Sequence, residues 1–256
     1  MSDEKVKRIR AMKGRERIAA LTAYDFAMAK MLDGTGLPLL LVGDSLGMVV
    51  LGYPDTTRVT LAEMEHHVRA VARARPKALL AADLPFGACT TPATALESAR
   101  RLLAAGAEAV KAEGGRNILP QIRAILGDGI AVLGHLGMLP QNAVLEGGYH
   151  IKGKTAEERL GLIADALALA EAGAFALVLE LVAAPVAAEI TRQISIPTIG
   201  IGSGPDCDGQ ILVTTDLLGT SPEYIPKHVK KHWRFAEQMR AAVVEWKEGV
   251  VHPDRT

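Results

Sequence analysis

Short apolar runs alternate along the chain with longer segments whose apolar positions recur every three or four residues, the rhythm of repeated βα units around a parallel sheet. Eight runs read as strands: Ala19 to Tyr24, Leu39 to Asp44, Ala78 to Leu84, Ala107 to Glu113, Ile130 to His135, Ala174 to Glu180, Thr198 to Ile201 and Gln210 to Thr214. Most are bounded by Gly or Pro, and the last two lie closest together. Between them, Leu61, Met64, Val68 and Val71 recur on one helical face of a segment that stops before Pro76. Thr91 and Pro92 supply an N-cap and a first-turn proline for a helix that Gly106 ends. Thr155 and Glu158 form a capping box ahead of Leu160, Ile163 and Leu167, and Gly173 closes that helix. Eight strands without a linker predict an α/β fold, one (β/α)8 TIM barrel domain over 1–256, with a short N-terminal helical lead and a C-terminal helical extension. A doubly wound sheet fits this length less well.

Composition narrows the class. With 49% apolar and 23% charged residues the chain has the material for a substantial core, which excludes disorder. Lys and Arg total 29 and so do Asp and Glu, leaving no global field for nucleic acid or an anionic membrane. Aromatic residues, at 4%, offer few platforms for stacking bases. The longest apolar stretch, Leu37 to Leu51, is broken by Asp44 and is too short to span a bilayer. The basic run Lys5 to Arg17 precedes no apolar signal core and reads as a solvated leading helix. Cys89 and Cys207 form no CxxC pair or zinc pattern, so both read as inert thiols of a cytoplasmic protein.

The informative polar residues sit where strands end. Asp44, Asp83, Glu113, His135 and Glu180 each close an apolar run, and in a parallel barrel those tips meet at one mouth, where such folds place their chemistry. Lys111 and Glu113, two apart on a strand, point to the same face, either toward a ligand or as an internal ion pair. Asp44, Asp83 and Glu113 form an oxygen-rich set suited to a hard cation such as Mg²⁺. Glu180 ends a strongly apolar run, so burial would raise its pKa toward the range of a general base; a loop-anchoring carboxylate is the alternative. His135 reads as a substrate-orienting group, a metal ligand or a structural histidine. Gly200, Gly202 and Gly204 lack the dinucleotide spacing and predict a tight turn whose backbone lies close to a ligand. His66, His67, His150, His228 and His232 have no metal spacing and read as surface or helix residues.

Seven ordered motifs carry a resemblance from Ile18 to Lys230. They are LTAYD (21–25), LVGDSLGMV (41–49), ADLPF (82–86), VKAEGG (110–115), GHLG (134–137), GGY (147–149) and DGQILVTTDLLG (208–219). Together they closely resemble the ketopantoate hydroxymethyltransferase family. That resemblance implies a barrel of the phosphoenolpyruvate/pyruvate superfamily and a homo-oligomer, decameric in well-known members. It also implies transfer of a hydroxymethyl group from 5,10-methylenetetrahydrofolate to 3-methyl-2-oxobutanoate, the first committed step of pantothenate synthesis. Carried over position by position, it makes Asp44 and Asp83 metal ligands with Glu113 beside the metal, Ser45 and Lys111 substrate-holding residues, and Glu180 the base. The chain departs from the family pattern at Ala112, at Met138-Leu139 after GHLG, at His66 and at Lys152, none of which is a proposed catalytic group. Two other classes remain. A folate-independent lyase or mutase of the same superfamily commonly needs a Lys-Cys-Gly-His loop, which is absent. A non-enzymatic scaffold would have lost one of the residues just named.

Overall fold

The computed structural model describes residues 2–221, 225–229 and 233–252; Lys230 and His232 lie outside them. It divides into two compact units, Met1–Ile211 and Leu212–Thr256. The strands are β1 (Ile18–Thr22), β2 (Leu39–Val42), β3 (Leu79–Asp83), β4 (Ala109–Glu113), β5 (Ala131–Gly137), β6 (Ala176–Glu180), β7 (Thr198–Ile201) and β8 (Gly209–Leu212). They close in sequence order into a barrel of parallel strands, as the alternating pattern predicts. Residues 213 and 214, read as the end of the eighth strand, instead lead into a helix.

The helices are α1 (Ser2–Ala11), α2 (Phe26–Asp33), α3 (Leu46–Val49), α4 (Leu61–Ala72), α5 (Pro92–Ala105), α6 (Leu119–Gly127), α7 (Ala156–Ala172), α8 (Ala184–Gln193), α9 (Thr214–Leu218) and α10 (Phe235–Val251). The predicted caps are present: Thr91 accepts from the Thr94 amide, Thr155 and Glu158 form their box, and Gly106 and Gly173 end their helices at φ 113° and 109°. One helix of the eight-fold rhythm is missing. Between β7 and β8 the chain crosses through residues 202–208 alone, too few for the dozen or so residues a helical crossover needs.

Strand alternation sorts the apolar residues into two cores. Leu40, Val42, Leu80, Val110 and Val132 face outward to Met64, Val68, Ala99 and Ile122 of the surrounding helices. Ile18, Leu39, Leu41, Leu79, Leu133 and Ile199 fill the barrel interior together with Ile9 and Met12. The N-terminal segment is therefore not the solvated helix its charges suggest. Its helix stops at Ala11, Ile9 is fully buried, and Lys5 donates to the carbonyls of Pro76 and Ala78 at 3.2 and 3.0 Å and pairs with Glu108 at 2.7 Å. Apolar residues three apart in a basic helix make it a plug for the barrel floor.

At that floor Asp208 ties three elements. It accepts from the Gly14 amide (3.0 Å), Lys13 Nζ (2.9 Å) and the Thr198 amide (2.9 Å). Burial pushes its carboxyl up, but Lys13 and the two amides more than offset that and hold it below the ordinary range.

The second unit carries α9 and α10; Ser221 donates to Asp216, and α10 buries none of its residues. No described helix is long and apolar enough to cross a membrane.

Candidate active site

The alternation that puts Leu79, Ala109, Leu133 and Ala176 inside the barrel continues upward to Asp83, Lys111, Glu113, His135 and Glu180, so these side chains rise from the interior into the mouth. Register brings them level: Asp83 is opposite Lys111, Glu113 opposite His135, and Gly137 opposite Glu180. Asp44 arrives differently. On β2 the inward slot above Leu41 belongs to Gly43, where a Cβ would lie 2.9 Å from Ser45 Oγ and 3.4 Å from Asp83 Oδ2. The glycine leaves room for the chain to turn, so that the Asp44 amide donates to Asp83 Oδ2 at 3.0 Å and the Ser45 hydroxyl meets Tyr24 Oη at 2.9 Å.

Lys111 Nζ lies 2.8 Å from Asp83 Oδ1, 3.4 Å from Glu113 Oε1 and 3.0 Å from His135 Nδ1. Burial opposes its charge, yet Asp83, Glu113 and Asp44 outweigh burial and hold the ammonium well above the ordinary lysine range. Glu113, likewise buried, is brought down to about 2 by Lys111 and His135. Asp44 goes the other way. Burial, with Asp83 and Glu113 nearby, pushes its carboxyl well above the usual range, and Asp83 is raised by burial against the pull of Lys111.

Two tendencies compete at His135. Burial and Lys111 disfavour a charged ring, whereas Glu113, whose Oε1 is 3.4 Å from Nδ1, and Glu180 pull the ring upward. The contacts decide for a neutral ring, because a Lys111 ammonium 3.0 Å from Nδ1 can donate only to a nitrogen lone pair. The ring proton then sits on Nε2, which has no other hydrogen-bond partner and lies 3.4 Å from Glu180 Oε2. Glu180, at the rim, thus faces a polar neighbour as well as the apolar run that carries it.

Four carboxylates therefore share the mouth with one ammonium and a neutral imidazole. Among the described residues no three His, Cys, Asp or Glu side chains converge as a metal site; Lys111 stands against Asp83 and Glu113 instead. The surplus of buried acids, expressed in the raised Asp44, and the all-oxygen donor set nonetheless fit a hard divalent cation.

Every predicted site residue lies in this mouth. One that pattern reading missed is Gln141, in a 3-10 turn (Pro140–Asn142) after β5. Its Nε2 donates to Asp44 Oδ2 at 2.8 Å and to the Leu84 carbonyl at 3.0 Å, and its backbone N–H donates to Glu113 Oε2 at 3.2 Å. The glycine-spaced turn after β7 works as a fastening: Ser203 Oγ donates to the Leu179 carbonyl (2.7 Å) and accepts from the Val182 amide (2.9 Å), bracketing Glu180. Leu181 between them is held at φ 47°, a conformation costly for a branched side chain.

The closed parallel barrel makes this a (β/α)8-barrel protein, and solved structures share its fold. Phosphonopyruvate hydrolase, in complex with oxalate and Mg²⁺, aligns with a TM-score of 0.62 at 15% identity, covering 98% of this chain and 87% of that one. 2,3-Dimethylmalate lyase aligns at 0.60 and 17%, with the same coverage. The sequence itself goes further: the chain belongs to the ketopantoate hydroxymethyltransferase family, whose model matches residues 4–254. The 3-methyl-2-oxobutanoate hydroxymethyltransferase of Moorella thermoacetica is 50% identical over 245 residues, 94% of this chain and 91% of that protein. The Caldivirga maquilingensis enzyme of the same name is 52% identical over 232 residues, 90% and 87% of the two chains.

Proposed function

We propose that the chain catalyses hydroxymethyl transfer from 5,10-methylenetetrahydrofolate to 3-methyl-2-oxobutanoate, giving 2-dehydropantoate. The constellation that carries this reading is a buried cation, Lys111, and a rim carboxylate, Glu180, on either side of His135, in a chain of this family. Lys111 and the Ser45 hydroxyl hold the substrate carboxylate, supplying orientation and charge neutralisation. Glu180 takes the proton from C3, and His135, with Nε2–H toward Glu180, orients that carboxylate. Water adds to the folate-borne methylene and both C–N bonds break, releasing tetrahydrofolate and formaldehyde. The electron pair left at C3 attacks the formaldehyde carbon, and its oxygen takes up the proton that left C3, which completes the hydroxymethyl group. Asp44 and Asp83, with Glu113 alongside, would hold Mg²⁺ or another divalent cation, which when bound supplies Lewis-acid polarisation of the keto oxygen and so lowers the C3 proton's pKa.

Homo-oligomeric assembly belongs to the same reading, supported by Met239, Val243, Trp246 and Val250, which recur on α10 and are exposed.

The test is hydrogen–deuterium exchange at C3 of 3-methyl-2-oxobutanoate, followed by NMR with and without Mg²⁺ and folate. Cation-dependent exchange in the wild type, reduced by about 10²- to 10⁴-fold in Glu180→Gln and lost in Asp83→Ala, is expected, with product only when folate is added. Wild-type protein that neither exchanges C3 nor forms product overturns the proposal.

A further inference from the structure

Gln141 is bound at or just beyond the ends of three strands that build the mouth, although it belongs to none of them. The Nε2 contacts hold Asp44 after β2 and the Leu84 carbonyl after β3, and the backbone N–H holds Glu113 at the end of β4. Its own position is set from β5 and β6. Gly137 ends β5 at φ 98°, where a Cβ would lie 2.2 Å from the Glu180 carbonyl oxygen, so only glycine lets the chain bend there. The Met138 amide then donates to that same carbonyl at 2.8 Å, and Pro140 opens the 3-10 turn that delivers Gln141.

The consequence is chemical. Each carboxylate has two oxygens, and Gln141 engages one on Asp44 and one on Glu113. A donor fixed on one oxygen sets the plane of the carboxylate and with it the direction of the other oxygen, which on Glu113 is Oε1, 3.4 Å from Lys111 Nζ. The second bond, to Leu84, keeps the carboxamide from rotating away. Such outer partners orient first ligands and tune their affinity for a metal.

Building on the function proposed above, we infer that Gln141 is a positioning residue that aims the Asp44 and Glu113 carboxylates and thereby sets the affinity of the mouth for its divalent cation. Gln141→Met keeps the length and the backbone bond to Glu113 but removes both carboxamide donors. Gln141→Asn keeps a carboxamide that is one methylene too short to reach.

The experiment is calorimetric titration of Mg²⁺ into the intact, chelator-treated protein, without substrate or folate, with circular dichroism to establish folding. Both variants are expected to bind Mg²⁺ about 10- to 100-fold more weakly than the wild type. The cation concentration for half-maximal C3 exchange should rise in parallel. Folded variants with wild-type Mg²⁺ affinity overturn the inference and leave the proposed function standing. A wild type that binds no Mg²⁺ overturns the cation site itself, and this inference with it.

Discussion

Asp208 lies in one of the family motifs, yet its contacts are all at the barrel floor, which makes Asp208→Asn a clean separation of stability from chemistry. The carboxylate accepts at Oδ1 from Gly14 and at Oδ2 from Lys13, from the Thr198 amide and from the Thr198 hydroxyl at 3.2 Å. An asparagine keeps one acceptor oxygen. Placed toward Thr198 and Lys13, it turns its NH₂ on the Gly14 amide, so one bond is lost, a donor is orphaned and the remaining bonds lose their charge. Hydrogen bonds to charged groups contribute about 1.5–3 kcal/mol. The Lys13 side chain is about a fifth exposed, which discounts its share. The sum is a loss of about 2–4 kcal/mol, or roughly 5–15 °C in Tm for a chain of this size. The pH dependence follows from the depressed carboxyl. Stability from Asp208 is complete above the ordinary carboxylate range and is lost as pH falls through the folded-state value, below about 4. Thermal unfolding of both proteins from pH 7 downward should show a gap that is widest at neutrality and narrows below about pH 4. C3 exchange at 20 °C should be unchanged. A neutral-pH loss under 1 °C, or a gap that widens in acid, would refute this account of the floor.

Three further outcomes follow from the mouth and the core. Gly137→Ala should cost at least about 3 kcal/mol in thermal melts, because its Cβ meets backbone at 2.2 Å in a left-handed conformation; a melt within 1 °C of wild type would contradict the contact. Lys111→Met leaves Asp83 and Glu113 buried without their ammonium and should destabilise chelator-treated protein by about 3–5 kcal/mol, read from denaturant unfolding, with no loss expected only if the pairing is illusory. Burial pushes the Cys89 thiol up to about 11, so its thiolate at pH 7.5 is roughly 100-fold scarcer than for an unburied thiol; iodoacetamide should label it slowly and faster as pH rises, and rapid labelling at pH 7.5 would show it reactive.

The barrel and most of its mouth were legible because both obey periodicity. Apolar runs mark the strands, and a side chain two places beyond an inward Leu or Ala must point inward again, which carries Asp83, Lys111, Glu113, His135 and Glu180 to one place. Gln141 obeys no period. It acts from a loop, on partners 97 and 28 residues away, and only the closed barrel brings them together. The leading helix reads as solvated because seven basic side chains between Lys5 and Arg17 outweigh Val6, Ile9 and Met12, whose spacing of three marks the buried face. The missing helix between β7 and β8 is a matter of length, visible in the closeness of the two runs, but the Ser203 and Asp208 fastenings that replace it are long-range.

The floor plug also dictates an order of events during synthesis. Lys13 and Gly14 emerge early, and their partner Asp208 follows 195 and 194 residues later. The Ile18 amide, at the open edge of β1, waits for the Asp208 carbonyl in the same way. At about 5–20 residues per second, the nascent chain spends some 10–40 s with β1 unpaired on one side and Ile9 and Met12 without a closed floor to fill. A barrel that seals itself with both ends of its strand order must be made nearly whole before it can be tight, and through that interval its first strand is a sticky edge.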